Sequence, residues 1–189
     1  MKYQAISFYT PDYEEVALRL GVSCQKNNVP LKLYPKPPKG SWVGNCGMKP
    51  QVIREAWFEF ETPIVWIDAD AVVRSEPVLF NNLEGYDFAA HWRVYNNNRE
   101  RELLSGTLWF GQTEAAKELI ERWCEQQEKC QTHWDQHTLR YVLMGMPSLK
   151  IYELPASYTQ IFDSMAHNGK PVIEHFQESR KHKKCAQST

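Results

Sequence analysis

Apolar residues in this chain fall either in short continuous runs or at helical spacing, and the two patterns alternate. Residues 5–9 form an apolar run typical of a strand, and apolar positions then recur at helical spacing over 13–20. The run Ile64–Ile67 is apolar at every position, which indicates a strand buried on both faces. Further strands are predicted at 31–34, 86–91, 107–110, 151–154 and 172–173, and further helices at 50–60, 113–123 and 135–143.

This alternation of strands and helices is typical of an α/β fold, in which helices flank a mostly parallel central sheet. The sequence contains no internal repeat and no linker that would divide it. We therefore expect a single compact domain over residues 1–178, followed by a basic, flexible tail over 179–189. Residues 35–47 contain three prolines and three glycines and are predicted to form a loop.

Composition excludes several classes of protein. The 189 residues are 42% hydrophobic and 24% charged, which argues against disorder over most of the chain. No apolar run approaches the ~20 residues of a transmembrane helix, and the first residues lack the pattern of a signal peptide. The five cysteines are odd in number and form no C-x-x-C pair, which is typical of a reducing compartment. We therefore expect a cytoplasmic protein without a disulfide framework or a zinc cluster.

Charge is divided unevenly along the chain. The formal net charge is −1, but residues 178–189 carry four Lys or Arg side chains and one Glu, so this segment is +3 and the rest is −4. An acidic body argues against a protein that tracks nucleic-acid phosphates. The basic segment is predicted to be a solvated terminus, with contact to an anionic partner as the alternative.

Two acidic residues, Asp68 and Asp70, directly follow the apolar run Ile64–Ile67. In open α/β sheets, ligands bind beyond the carboxyl ends of the strands. Two carboxylates at such a place need a neutralising partner, and their oxygens suit Mg²⁺ or Mn²⁺, which in turn binds phosphate oxygens. A D-x-D is common by chance, so its position after the buried strand carries most of the argument. The alternative is a solvated turn with an Asp cap.

Two classes of enzyme use such a motif. Asp68-Ala69-Asp70-Ala71-Val72 matches in spelling the motif of haloacid-dehalogenase-like phosphohydrolases, with Asp68 as the nucleophile. The later acidic motifs of those enzymes do not follow in this chain. The other class is the nucleotide-sugar glycosyltransferases of GT-A fold, where the motif closes a strand in mid-domain. A sugar-nucleotide or glycan binding module without turnover is a third possibility.

From Ala5 to about Arg180 the chain resembles glycosyltransferase family 8, of the glycogenin and lipopolysaccharide-galactosyltransferase type. The resemblance rests on short motifs in a fixed order, namely Thr10-Pro11-Asp12-Tyr13, Lys49-Pro50, the segment from Ile67 to Val73, Ser105-Gly106-Thr107, Asp135-Gln136, and the segment from Pro171 to Phe176. The family's Asn is absent before Ser105, and Gln177, Ser179 and Arg180 stand where the family has a downstream Gly and Lys-Pro.

The resemblance implies a GT-A-like glycosyltransferase that moves a sugar, with retention, from a nucleoside-diphosphate sugar to an unknown acceptor. The donor is expected to be a UDP-sugar, and the acceptor a glycan, lipid, protein or small molecule. By residue, the resemblance implies a Mn²⁺ or Mg²⁺ ion on Asp68, Asp70 and His175, donor contacts from Tyr9, Thr10, Tyr13, Lys49, Asp68, Ser105 and Gly106, and catalytic residues Asp135 and Gln136.

These roles agree with the chemistry of the departing diphosphate. A divalent metal and a cation such as Lys49 would stabilise its charge, and Asp135 or Gln136 would face the developing sugar cation. Each residue also has an alternative interpretation, because His175 could be a core histidine and Asp135 a helix cap. Trp42 and Trp92 are further candidates for an acceptor contact, whereas Trp57, Trp66 and Trp123 are predicted to face the core.

Overall fold

The computed structural model describes residues 2–95 and 101–180 as strands and helices in alternation. The strands are β1 (Gln4–Tyr9), β2 (Leu31–Pro35), β3 (Ile64–Ile67), β4 (Ala71–Val73), β5 (Phe88–Val94), β6 (Arg101–Phe110), β7 (Ile151–Glu153), β8 (Gln160–Ile161) and β9 (Ile173–His175). The α-helices are α1 (Glu14–Lys26), α2 (Trp42–Cys46), α3 (Lys49–Glu59), α4 (Glu114–Lys129) and α5 (Asp135–Met144).

Six strands form a central sheet in the order β2-β1-β3-β6-β5-β7. Five of them run in the same direction and β6 runs against its neighbours β3 and β5, so the prediction of a mostly parallel sheet is confirmed. A second sheet of three short strands, β4-β9-β8, lies beside it. The sequence did not predict β4, which follows the Asp68–Asp70 turn directly, or β8, which has only two residues.

Helices cover both faces of the central sheet, and β3 shows why its sequence is apolar throughout. Ile64 and Trp66 point into a cluster with side chains of α3, α4 and α5. Val65 and Ile67 point into a second cluster with Leu20 and other residues from α1 and the smaller sheet. Because neighbouring side chains of a strand face opposite sides, burial on both faces requires apolar residues at every position.

The helix starts follow local rules in two places and depart from the prediction in one. Thr113 precedes α4, and its Oγ1 accepts a hydrogen bond from the amide of Ala116 at 3.1 Å, as an N-cap residue does. Pro50 lies in the first turn of α3, where a missing N–H costs nothing. The predicted loop over 35–47 was wrong in part, because α2 forms within it on the Ser41 cap.

Chain topology brings distant segments to the carboxyl ends of β1 and β3. Strand β9 pairs with β4 so that His175 lies opposite Ala71, one residue after Asp70. The pairing of β5 with β6 slips between Ala89 and His91, which turns Ser105 and its neighbours out of regular register at the same edge. In the described part of the chain, no helix has the length and hydropathy to cross a membrane. Of the predicted basic tail, residues 181–189 lie outside the described residues.

Candidate active site

A cleft of about 450 Å³ opens at the carboxyl ends of β1 and β3. All of the site residues predicted from the sequence line it, although they come from six different segments of the chain. They are Tyr9, Thr10, Tyr13, Lys49, Asp68, Asp70, Ser105, Gly106, Asp135, Gln136 and His175. The structure therefore brings the predicted set together, while the role of each member stays a prediction.

Three of these residues could hold a metal ion. Three candidate ligand atoms, one each from Asp68, Asp70 and His175, all lie within 4.8 Å of one another. The turn after β3 is fixed by its backbone, because the amide of Asp68 donates to the carbonyl of Gly106 at 2.8 Å. Asp70 is oriented from the other side, since its Oδ2 accepts from the amide of Glu178 at 2.9 Å.

The histidine is held by a buried hydrogen bond that fixes its ring. His175 is 4% exposed, and its Nε2 lies 2.8 Å from the Thr107 hydroxyl oxygen. Burial lowers the pKa of His175 to about 4, so the ring is neutral near pH 7. When Nε2 carries the proton and donates it to Thr107, Nδ1 keeps a lone pair for a cation.

The absence of a side chain at Gly106 leaves space for the side chains of His175 and Asp68. A Cβ atom at position 106 would lie 2.9 Å from both Cε1 and Nδ1 of His175 and 3.4 Å from Oδ2 of Asp68. Contacts below 3.0 Å would force the ring or the strand to shift. A glycine is therefore required here for steric reasons, whatever contact it makes with a donor.

Lys49 lies inside the site and is surrounded by oxygen atoms of the protein. Its Nζ is 2.9 Å from Asp68 Oδ1 and 2.7 Å from Asp135 Oδ2, and it also lies near the carbonyl and hydroxyl of Ser105 at 3.2 and 3.3 Å. Burial alone would lower the pKa of Lys49, but the carboxylates of Asp135 and Asp68 outweigh burial and raise it. The ammonium thus offsets part of the repulsion between two carboxylates, and the three side chains together keep a formal charge of −1.

Negative charge in the centre of the cleft still exceeds positive charge. Burial and the neighbouring Asp68 raise the pKa of Asp70 to about 6, which shows that a second carboxylate is costly there. Asp68 is further held by Trp66, whose Nε1 donates to Oδ1 at 2.7 Å. Two carboxylates and a neutral imidazole, with an excess of negative charge, fit a divalent cation such as Mn²⁺ or Mg²⁺.

Asp135 and Gln136 continue the same network away from the metal ligands. Ser105 Oγ donates to Asp135 Oδ2 at 2.9 Å, and the Ser105 amide donates to Gln136 Oε1 at 3.2 Å. Gln136 Nε2 then donates to Glu102 Oε1 at 3.2 Å. Asp135 is the first residue of α5 rather than its cap, which is Trp134, so its carboxylate serves Lys49 and Ser105.

Comparisons with known proteins decide which enzyme family this cleft belongs to. The profile of the nucleotide-diphospho-sugar transferase family matches residues 43–186, about three quarters of the chain. The chain belongs to that family. It is therefore a glycosyltransferase, as the sequence predicted, whereas the narrower resemblance to family 8 stays a prediction. A comparison with curated proteins found no match.

Solved structures support the fold of this transferase. A crystal structure of a glycosyltransferase involved in the glycosylation of the major capsid of PBCV-1 matches with a TM-score of 0.75, 13% identity and 100% coverage of both chains. The apo structure of the bifunctional glycosyltransferase WbbM matches with a TM-score of 0.62 and 13% identity, covering 93% of this chain and 45% of that one. At such identities the likeness shows a shared fold alone, and that fold confirms the predicted GT-A-like architecture.

One end of the transferase cleft is formed by the residues after β1. Tyr9 and Tyr13 are partly exposed there, and Thr10 is 3% exposed between them. Burial, with Asp70 as the next cause, raises the pKa of the Tyr13 hydroxyl. Trp42 also lines the cleft and lies edge-on to Trp134, with their ring centroids 5.0 Å apart.

Sequence reasoning missed several residues of the transferase site. Trp66 is buried as predicted, but its ring also lies 5.3 Å from the Lys49 ammonium and its N–H holds Asp68. Thr107 and Glu102 were not singled out, because their partners lie 68 and 34 residues further along the chain. Trp92, considered for an acceptor contact, is not among the residues that line the cleft.

Proposed function

We propose that this transferase is metal-dependent, takes its sugar from a UDP-sugar and transfers it with retention. The observation that carries metal dependence is the convergence of Asp68, Asp70 and His175 within 4.8 Å at the end of β3. UDP and retention are supported by the ordered motifs that the chain shares with glycosyltransferase family 8. The acceptor is addressed separately below.

Different residues of the cleft would contact different parts of the donor. Tyr9, Thr10 and Tyr13 would contact the nucleoside, because aromatic rings and a hydroxyl suit an unpaired base and its ribose. Asp68, Asp70 and His175 would hold Mn²⁺ or Mg²⁺, which when bound supplies positive charge to the diphosphate. Ser105 and Gly106, next along the cleft, would lie against the transferred sugar.

Sugar transfer breaks the bond between the anomeric carbon and the diphosphate oxygen, and the diphosphate leaves with the electron pair. The acceptor oxygen forms the new bond to that carbon and releases its proton. Lys49 keeps Asp68 and Asp135 in place by an ion pair with each carboxylate. Gln136 would present its amide oxygen or Asp135 its carboxylate to the positive charge that develops on the sugar.

The test is a titration of UDP by isothermal calorimetry with and without Mn²⁺. We expect wild-type binding to depend on Mn²⁺ and the dependence to be lost in Asp70→Ala. Glu125→Ala is the control, because Glu125 is an exposed carboxylate on α4 that does not line the cleft, and it should bind like wild type. Mn²⁺-independent binding of UDP that is unchanged in Asp70→Ala would overturn metal dependence.

The alternative in which Asp68 is the nucleophile of a phosphohydrolase is set aside, because the chain belongs to the nucleotide-diphospho-sugar transferase family. The contacts of Asp68 also argue against a nucleophile, because its Oδ1 is bound by both Lys49 Nζ at 2.9 Å and Trp66 Nε1 at 2.7 Å. A carboxylate oxygen held by two donors is suited to a fixed ligand position. Assays with a generic phosphate ester should therefore show no hydrolysis that depends on Asp68.

A further inference from the structure

The wall of the cleft formed by the end of β5 and the start of β6 contributes no residue to the donor contacts described above, which on β6 come only from Ser105 and Gly106. Arg93 and Tyr95 at the end of β5, and Glu102 near the start of β6, line the cleft there. In the sheet order, β3 and β6 separate β1 from β5, so the two walls are three strand spacings, or about 14 Å, apart. The proposed nucleoside end, the metal ligands, Ser105 and this wall thus follow one another across the cleft.

Glu102 is held in a defined position by two hydrogen bonds. Its Oε2 accepts from the Tyr95 hydroxyl and its Oε1 accepts from Gln136 Nε2 at 3.2 Å. Both hydrogen-bond partners of the Glu102 side chain within the described residues, Tyr95 and Gln136, are uncharged. A carboxylate can accept about four hydrogen bonds, so Glu102 retains capacity for donors from a molecule in the cleft.

Tyr95 adds an aromatic surface beside that carboxylate. The residue is 44% exposed, and the Arg93 guanidinium lies 4.5 Å from its ring centroid. Arg93 is itself positioned by Ser164, since it donates to the hydroxyl at 3.1 Å and to the carbonyl at 3.2 Å. A sugar ring has an apolar C–H face and a rim of hydroxyl groups, so a ring next to a carboxylate complements both.

Charges on this wall balance. Arg93 supplies one positive charge and Glu102 one negative charge, and the two residues lie opposite each other in the register of β5 and β6; elsewhere in the cleft, Arg180 is paired with Asp163. The formal sum of these four side chains is zero. An uncharged molecule therefore fits this end of the cleft better than an anionic one, which would meet the Glu102 carboxylate.

We propose that Glu102 and Tyr95 form the acceptor subsite of this transferase and that the acceptor is an uncharged, hydroxyl-rich molecule such as a glycoside. Glu102 accepts a hydrogen bond from an acceptor hydroxyl, and the Tyr95 ring packs against the apolar face of the acceptor. Gln136 links this subsite to Ser105, so both substrates would be set by one network. The inference rests on the proposed function, which places the donor at the other end of the cleft.

The experiment measures UDP release stimulated by acceptor, using the full chain with Mn²⁺ and either UDP-glucose or UDP-galactose. Methyl glucosides and methyl galactosides are the neutral probes, and methyl glucuronide is the anionic one. We expect the neutral probes to stimulate release more than the glucuronide. In Glu102→Gln, the KM of the neutral probe should rise about tenfold, because a charge-assisted hydrogen bond becomes a neutral one, while the Kd for UDP stays unchanged.

Two further variants sharpen the test. Tyr95→Ala should raise the same KM without changing the Kd for UDP. Glu153→Gln is the matched control, since Glu153 is an exposed carboxylate on β7 that pairs with Arg101 outside the cleft, and both constants should remain those of wild type.

A preference for the glucuronide, no stimulation by neutral probes in a protein that binds UDP, or unchanged KM values in Glu102→Gln and Tyr95→Ala would each overturn the acceptor assignment alone. Failure of wild type to bind UDP in the presence of Mn²⁺ would instead overturn the proposed function.

Discussion

Replacing Gly106 with alanine tests whether the metal site depends on the space that this glycine leaves. The added methyl group would lie 2.9 Å from Cε1 and Nδ1 of His175, whereas non-bonded carbon atoms prefer about 3.5–4.0 Å. The His175 ring is 4% exposed and its Nε2 lies 2.8 Å from the Thr107 hydroxyl, so it cannot move aside without losing that contact. Overpacking of this kind lowers the free energy of unfolding by about 1–3 kcal/mol.

Urea denaturation measures the free energy of unfolding, and calorimetric titration with MnCl₂ measures the affinity of the site. We expect Gly106→Ala to lose stability as above and to bind Mn²⁺ at least about tenfold more weakly, because Nδ1 is the atom displaced. Gly21→Ala is the matched control. Its Cβ would meet nothing closer than Leu33 Cδ1 at 3.9 Å, and alanine inside α1 should stabilise the protein by about 0.5–1 kcal/mol.

The steric argument would be refuted if Gly106→Ala unfolded at the same urea concentration as wild type and bound Mn²⁺ with the same affinity. Loss of stability with unchanged Mn²⁺ affinity would show that the strand shifts and the ring does not. In that case the metal affinity would not depend on the space that Gly106 leaves.

Three other predictions follow from the same contacts. Thr107→Val keeps the shape of the side chain but leaves a buried ring nitrogen of His175 without its partner, so stability should fall by about 1–3 kcal/mol, and calorimetry should show weaker Mn²⁺ binding. Lys49→Met leaves Asp68 and Asp135 uncompensated and should destabilise the protein by about 3–5 kcal/mol in urea; an unchanged midpoint would contradict the role given to Lys49. Asp70→Asn removes a carboxylate whose pKa is raised from 3.8 to about 6, so with EDTA at pH 7 the variant should be more stable than wild type, by up to about 3 kcal/mol. That advantage should shrink as pH falls below about 6, because Asp70 then binds a proton in the folded wild type; a thermal melt series in which the advantage grows toward acid pH would show that the sign is wrong.

Much of the fold was predictable from local pattern. The fully apolar run Ile64–Ile67 indicated a strand covered on both faces, and its side chains do enter two separate clusters. Thr113 marked the start of α4, because a cap acts on an amide three residues away. The antiparallel direction of β6 and the small β4-β9-β8 sheet were not predictable, because strand direction and pairing depend on segments far apart in the chain.

Within the site, the sequence by itself determined which chemical groups are available to bind a cation. Asp68 and Asp70 follow a buried strand, and a strand end in an α/β sheet meets the ligand, so two carboxylates there predict a cation. The resemblance to glycosyltransferase family 8 added His175, Asp135 and Gln136 as candidates. What the sequence could not supply was the set of contacts between segments, since a side chain's partner is set by the path of the whole chain.

Only the tertiary structure decided how charge is balanced. It placed the Lys49 ammonium between Asp68 and Asp135 rather than in open cleft, and it made Gly106 a matter of space beside the His175 ring. It also brought Glu102 to the far wall with two uncharged partners. Local pattern carries the type of residue and the element it lies on, whereas electrostatic and steric fit arise from distances that only the folded chain defines.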